Sequence, residues 1–309
     1  MHRVLSRLLA ANLLVSLCVV VGCGSRDSAY STRSAFGEND IELVTSDADV
    51  PVSITSRFGL LVAELPAAIE GDSPSFWPIC GALIIDARRL ITNAHCLKDI
   101  GAKLHFLRGY MASPGSALEV HGIADNDIDL LRLTLNGQVR RDLKPGPGDI
   151  AMERVVAQNQ ELDLGLLQAS SDTGQSKLEL MDSKVALRAE LYHFPNSHPL
   201  ARSSNCWYVP PINEPFSRHD CDSLPGSSAG VLISADQQHI LALHRSGRVQ
   251  NSYRWFQEHQ RFESADEISN KKCMSSESPE RCRVEHSFNK AIALGSVLSW
   301  VATVPNGSN

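Results

Sequence analysis

Cys80-Gly81-Ala82-Leu83-Ile84-Ile85, followed by Arg89-Leu90-Ile91-Thr92-Asn93-Ala94-His95-Cys96, is the stretch on which the fold turns. It holds two short apolar runs of strand-forming composition and ends on a histidine beside a cysteine. Runs of the same style lie on both sides: Phe58 to Val62, Lys103 to Leu107, Arg154 to Ala157, Ala189 to Pro195, Val231 to Ile233 and Ile240 to His244. Turn residues divide them, as at Lys144-Pro145-Gly146-Pro147-Gly148-Asp149. Many short strands and few long helical patterns put the chain in the all-β class, as a sandwich or barrel. Only Asn289 to Val304 has a sustained helical look, with Ile292, Val297, Leu298 and Trp300 as its apolar side.

The chain has 309 residues, 43% of them apolar, which is enough for a real core. A net charge of -6 without a basic cluster excludes a nucleic-acid surface. The first 23 residues stand apart from the fold. His2, Arg3 and Arg7 precede the apolar stretch Leu8 to Val21, the layout of an export signal. Gly22-Cys23 at its end resembles a bacterial lipobox, which implies acylation of the Cys23 thiol. Gly24 rather than Asp follows, and in diderm lipoproteins that favours release toward the outer membrane. The expectation is therefore an exported, monomeric chain, anchored in the bacterial envelope by lipid alone. Residues 24–50, rich in Ser, Asp and Thr, read as a flexible tether. Cys18 lies in the signal, so six cysteines remain for the domain: Cys80, Cys96, Cys206, Cys221, Cys273 and Cys282. An even number in an exported chain reads as three disulfides, with sequence neighbours the first pairs to consider. Many connectivities stay formally open. No C-x-x-C pair points to zinc, and His193, His198 and His219 lack tight ligand spacing. No metal or cofactor is expected.

A second segment carries chemistry: Cys221-Asp222-Ser223-Leu224-Pro225-Gly226-Ser227-Ser228-Ala229-Gly230-Val231. A glycine two residues before a serine lets the backbone turn tightly, so that both amides can face one oxygen. Together the two segments resemble the chymotrypsin family, whose strand ends in T-A-A-H-C and whose nucleophile loop reads G-x-S-G. The second is nearest the C-D-[ST]-x-x-G-S-S-G form of bacterial glutamyl-endopeptidase-like enzymes. The resemblance covers about Val52 to Trp300. It implies two six-stranded antiparallel β-barrels with a C-terminal helix, barrel one over about 51–180 and barrel two over about 181–305. It also implies a Cys80–Cys96 disulfide, His95 as general base, Ser228 as nucleophile, and the Gly226 and Ser228 amides as oxyanion hole. Cys206 and Cys221 flank the segment that would wall the substrate pocket, where a bridge would brace the loop. Cys273 and Cys282 enclose a polar loop, as a local staple would.

The third member of the triad has two candidates. Asp127-Ile128-Asp129-Leu130-Leu131-Arg132-Leu133 is slightly nearer the family motif than Asp163-Leu164-Gly165-Leu166-Leu167-Gln168. Spacing favours Asp163, which lies 65 residues before Ser228 against 101 for Asp127. The choice of Asp163 also leaves no surplus strands between the barrels. Substrate preference is open as well. Asp222, six residues before Ser228, implies Arg or Lys substrates by resemblance; Ser223 and His244 match the arrangement that binds Glu. Two departures stand out. Ser227 replaces the Asp that pairs with a new N-terminus in digestive-type members, and Ala229 replaces a glycine. If that position needs φ > 0, alanine costs about 1 kcal/mol. The function implied is peptide-bond hydrolysis through an acyl-enzyme. The alternative is an inactive homologue acting as an envelope binding module.

Overall fold

Strand β2 (Phe58–Leu65) is buried for six of its eight residues, because both of its edges and both of its faces are covered. It pairs antiparallel with β3 (Ser75–Ile84) and with β5 (Lys103–Leu107). Strands β4 (Arg89–Thr92), β9 (Leu164–Ala169) and β8 (Ile150–Asn159) complete the circuit β2-β3-β4-β9-β8-β5, a closed barrel with no free edge. Leu61, Ile84, Leu90, Phe106 and Leu167 fill its interior. Between β5 and β8 the chain makes an additional hairpin, β6 (Ala117–His121) with β7 (Arg132–Asn136).

These statements come from a computed structural model that describes residues 40–67, 73–98, 100, 102–121, 132–179, 183, 185–211, 215–237, 239–250, 253–256, 261–264 and 287–305. The export signal, Cys23, Asp127, Cys273 and Cys282 lie outside them.

The second half closes in the same way. Strands β10 (Leu187–His193), β11 (Ala201–Val209), β12 (Phe216–His219), β13 (Val231–Ser234), β14 (Ile240–Gln250) and β17 (Ser287–Ala293) follow the order β11-β10-β13-β14-β17-β12, and β12 returns to β11. A separate hairpin, β15 (Tyr253–Phe256) with β16 (Arg261–Ser264), falls between β14 and β17. Leu191, Leu232, Leu241 and Ala242 line the interior of this barrel. A third apolar cluster joins Leu107 and Leu164 of the first barrel to Tyr192, Val231 and Leu243 of the second. The chain is thus all-β, with two closed six-stranded antiparallel barrels of chymotrypsin-like layout. No strand intervenes between β9 and β10 among the described residues.

Two expectations are corrected. The helical pattern from Asn289 to Val304 divides: residues up to Ala293 are the last strand, and helix α2 is Leu294–Thr303. Asn289 and Ala291 are buried while Lys290 between them is not, the alternation of a strand. The helix buries Leu294, Val297 and Val301, at helical spacing. Likewise the tether does not run to residue 50. Strand β1 (Ile41–Leu43) pairs with β11, and Val44 and Val50 are core residues, because these few apolar side chains find a barrel edge to cover. Helix α1 (Val52–Arg57) then leads into the first barrel.

Candidate active site

The turn after β4 is a short 3-10 segment, Ala94–Leu97, held by the disulfide Cys80–Cys96. It presents His95 with about half of its side chain exposed. Asp163 ends the β8–β9 turn in the left-handed region (φ 58), a conformation aspartate tolerates better than most residues. From there its carboxylate accepts the His95 backbone N–H through Oδ1 at 2.9 Å and meets the ring Nδ1 through Oδ2 at 2.8 Å. The two contacts fix both the position and the tilt of the imidazole. At the far side of the ring, Nε2 lies 2.9 Å from Ser228 Oγ. With Nδ1 protonated toward Asp163, Nε2 is the acceptor for the serine hydroxyl. Gly165 lets β9 pack closely against the 3-10 segment, since a Cβ there would meet Leu97 Cδ1 at 2.4 Å.

Ser228 sits on the loop from Cys221 to Gly230. The disulfide Cys206–Cys221 ties the start of that loop to β11, and the Gly81 N–H donates to Ser228 O at 2.9 Å. Gly226 has φ +86, and a Cβ there would lie 2.9 Å from Phe194 O, so glycine is required on both counts. Neither the Gly226 nor the Ser228 amide has an acceptor among the described residues. Ala229 does adopt positive φ (57), at a cost of about 1 kcal/mol. Two hydrogen bonds oppose that strain: its N–H donates to His244 O at 2.9 Å and to Asn93 Oδ1 at 2.6 Å.

Asn93 was not a candidate from sequence. It is fully buried, and its Nδ2 also donates to Asp163 O at 3.2 Å, so one side chain clamps the Asp163 turn to the Ser228 loop. The signal available was a polar residue inside a buried apolar run. Arg245 was missed too. It follows His244 on β14, its Nε lies 3.5 Å from Asp163 Oδ2, and its guanidinium stacks 4.4 Å from the Phe216 ring centroid.

The residues proposed for substrate preference are all buried. Ser223 Oγ accepts from Asn289 Nδ2 at 3.2 Å. His244 Nδ1 lies 2.9 Å from His219 Nε2. Burial first, and then the charge of His95, pushes His244 down to about 3, so its ring is neutral. His193, down at about 3 for burial and for His244, meets Ser227 Oγ at 2.6 Å. Ser227 therefore braces the loop internally, also accepting the Leu224 N–H at 3.0 Å. Asp222 Oδ2 accepts the Asp40 backbone N–H at 3.0 Å, from the residue that leads into β1. His198 bonds Leu133 O at 2.9 Å. Cys80, Cys96 and His95 lie close enough to suggest a metal site, but both sulfurs are joined to one another and offer no thiolate. A cavity of about 630 Å³ lies beside α2, lined by Ile85, Lys177 and Leu298, and touches none of these groups.

No protein-family model matches the chain, and no curated protein does. Among solved structures, it is similar to the HtrA-type protease AlgW with a decapeptide, at 12% identity and a TM-score of 0.46, covering 81% of this chain and 64% of that one. It is also similar to an inactive serine-to-alanine form of Rv3671c from M. tuberculosis H37Rv, at 11% identity and a TM-score of 0.44, covering 86% and 97% of the two chains. The chain thus spans less than two thirds of the length of the first. Likeness this remote carries no statement about chemistry.

Proposed function

We propose that the protein is a serine endopeptidase of the envelope, lipid-anchored at Cys23, and that Ser228, His95 and Asp163 do its chemistry. One observation carries this reading: the unbroken hydrogen-bond chain from Asp163 Oδ2 through both ring nitrogens of His95 to Ser228 Oγ. His95 Nε2 takes the hydroxyl proton as Oγ attacks the carbonyl carbon of a peptide. The Gly226 and Ser228 amides receive the oxyanion. The same proton then passes to the leaving amine, and the acyl group remains as an ester on Ser228. Water, deprotonated by His95, hydrolyses that ester and restores the site. Asp163 stabilises the imidazolium at both steps.

A fluorophosphonate probe tests this. An adduct found on Ser228 by mass spectrometry, and absent from Ser228→Ala, is the expected result, with peptidase activity lower by at least about a thousandfold in the variant. A folded protein that forms no adduct would overturn the reading. The strained backbone at Ala229 then favours the second reading, an inactive homologue that binds peptides.

For substrate preference we favour an acidic side chain over a basic one. Asp222 Oδ2 already accepts the Asp40 N–H, whereas Ser223, which only accepts from Asn289, and the neutral His244 keep donor capacity for a carboxylate. The arriving charge would draw a proton onto the His244 ring. A matched peptide panel should show cleavage after Glu; cleavage after Arg or Lys alone would sink this preference.

A further inference from the structure

Strand β1 joins barrel two from the chain's N-terminal side, and it is only three residues long. Its ladder is Ile41 opposite Ser203, Glu42 opposite Arg202 and Leu43 opposite Ala201, extended by the Val44 N–H to Leu200 O at 2.9 Å. Ile41 packs in one cluster with Leu224 of the Ser228 loop and with Leu133 of the β6–β7 hairpin. Beside that cluster two carboxyl groups meet, Asp40 against Asp222.

We propose that β1 is a strap locked onto the Ser228 loop by a shared proton: it is docked while Asp40 or Asp222 is protonated, and loosened once both ionise. The bonding around Asp40 favours the neutral form. Asp40 Oδ1 is buried with no partner, so an ionised group would carry an unsatisfied charged oxygen and face a second carboxylate. The Ser203 hydroxyl offers Asp40 partial relief, since it is shared with Asp222 O at 2.9 Å. Surrounding charges do not help. Glu42 on the same strand and Asp220, next to Asp222, are acidic. Arg202 on β11 is turned to Glu42 at 3.1 Å, and from the hairpin Leu133 packs against Ile41. No Lys, Arg or His is in ion-pair contact with Asp40 among the described residues. Burial, and then Asp222, accordingly raises Asp40 from 3.8 to about 7.

The sign follows from that direction. A carboxyl raised on docking is more protonated docked than free, so docking is strongest below about pH 4, weakens up to about pH 7 and is level above it. Because Asp40 is only half buried, a loss of about tenfold in the docking equilibrium between pH 5 and pH 8 is expected, well short of the full shift.

Hydrogen exchange on the whole chain reads this without a substrate, so the inference stands or falls apart from the peptidase reading. After correction for intrinsic exchange, the β1 and Val44 amides should open about ten times more readily at pH 8 than at pH 5. Asp40→Asn, whose neutral amide can still donate to Asp222, should abolish that difference, and Asp222→Asn provides a second variant. Amides of β9 should be equally protected at both pH values. Equal protection of β1 at both pH values would overturn the strap. So would an undiminished pH effect in both variants, or parallel loss in β9.

Discussion

The two barrels share a strand count and differ in what they bury. The interior of barrel one is apolar; of its buried polar groups Thr92, Asn93 and Asp163 lie at the rim that faces barrel two, and one buried histidine, His105, meets Glu64 at 2.6 Å. Barrel two buries three histidines, together with Ser203, Ser217, Asp222, Ser223 and Asn289. Its disulfide and its polar side chains gather behind the Ser228 loop. Barrel one is therefore held mainly by burial of hydrocarbon, which is indifferent to pH, and barrel two to a larger extent by polar contacts that are not. The barrel that carries the nucleophile is the chemically tunable one.

Acid should separate them most strongly. His193 and His244 are held near 3 and His219 well below its ordinary value, all chiefly by burial. An unfolded chain takes up these protons at about pH 6.5, whereas the folded one refuses them. Stability is therefore complete above pH 6.5 and falls as the pH drops toward 3, by a few kcal/mol in all. Amides of β13 and β14 should lose exchange protection between pH 5 and 3 before those of β2 and β9. Simultaneous loss in both barrels would break the comparison.

Next comes the clamp that joins the barrels. Asn93→Ala removes the side-chain acceptor of Ala229 N–H and the side-chain donor to Asp163 O. A loss of about 1–3 kcal/mol in stability is expected, read by denaturant midpoint. Turnover should fall more than tenfold with KM little changed, since the triad loses alignment while the substrate pocket is untouched. Unaltered turnover would show that each half of the site holds its own geometry.

The smallest effect is expected at Ala229→Gly. Glycine relieves the positive φ but loosens the unfolded chain, so a net gain of about 0.5 kcal/mol or less should appear in the midpoint. A clear destabilisation would mean that the fully buried methyl group contributes more by packing than the backbone strain costs.

Much of this was legible residue by residue. The strands around Cys80 and His95 announce themselves through apolar runs, and the glycine-serine loop through its spacing. The end of the chain misled, because Asn289–Ala293 runs directly into α2 and strand and helix periods overlap there. Residues 40–50 misled for the opposite reason: a few apolar positions among polar ones look like tether unless a barrel edge awaits them.

Local chemistry is what the sequence by itself determined: where the short strands lie, which histidine and serine sit on constrained turns, and which cysteines neighbour one another. Tertiary structure alone decided which distant groups touch. Asp163 reaches His95 across 68 residues, Asn93 reaches Ala229 across 136, and Asp40 reaches Asp222 across 182. Such contacts leave no periodicity or spacing in the chain, because they arise only when closed barrels bring remote turns to one rim.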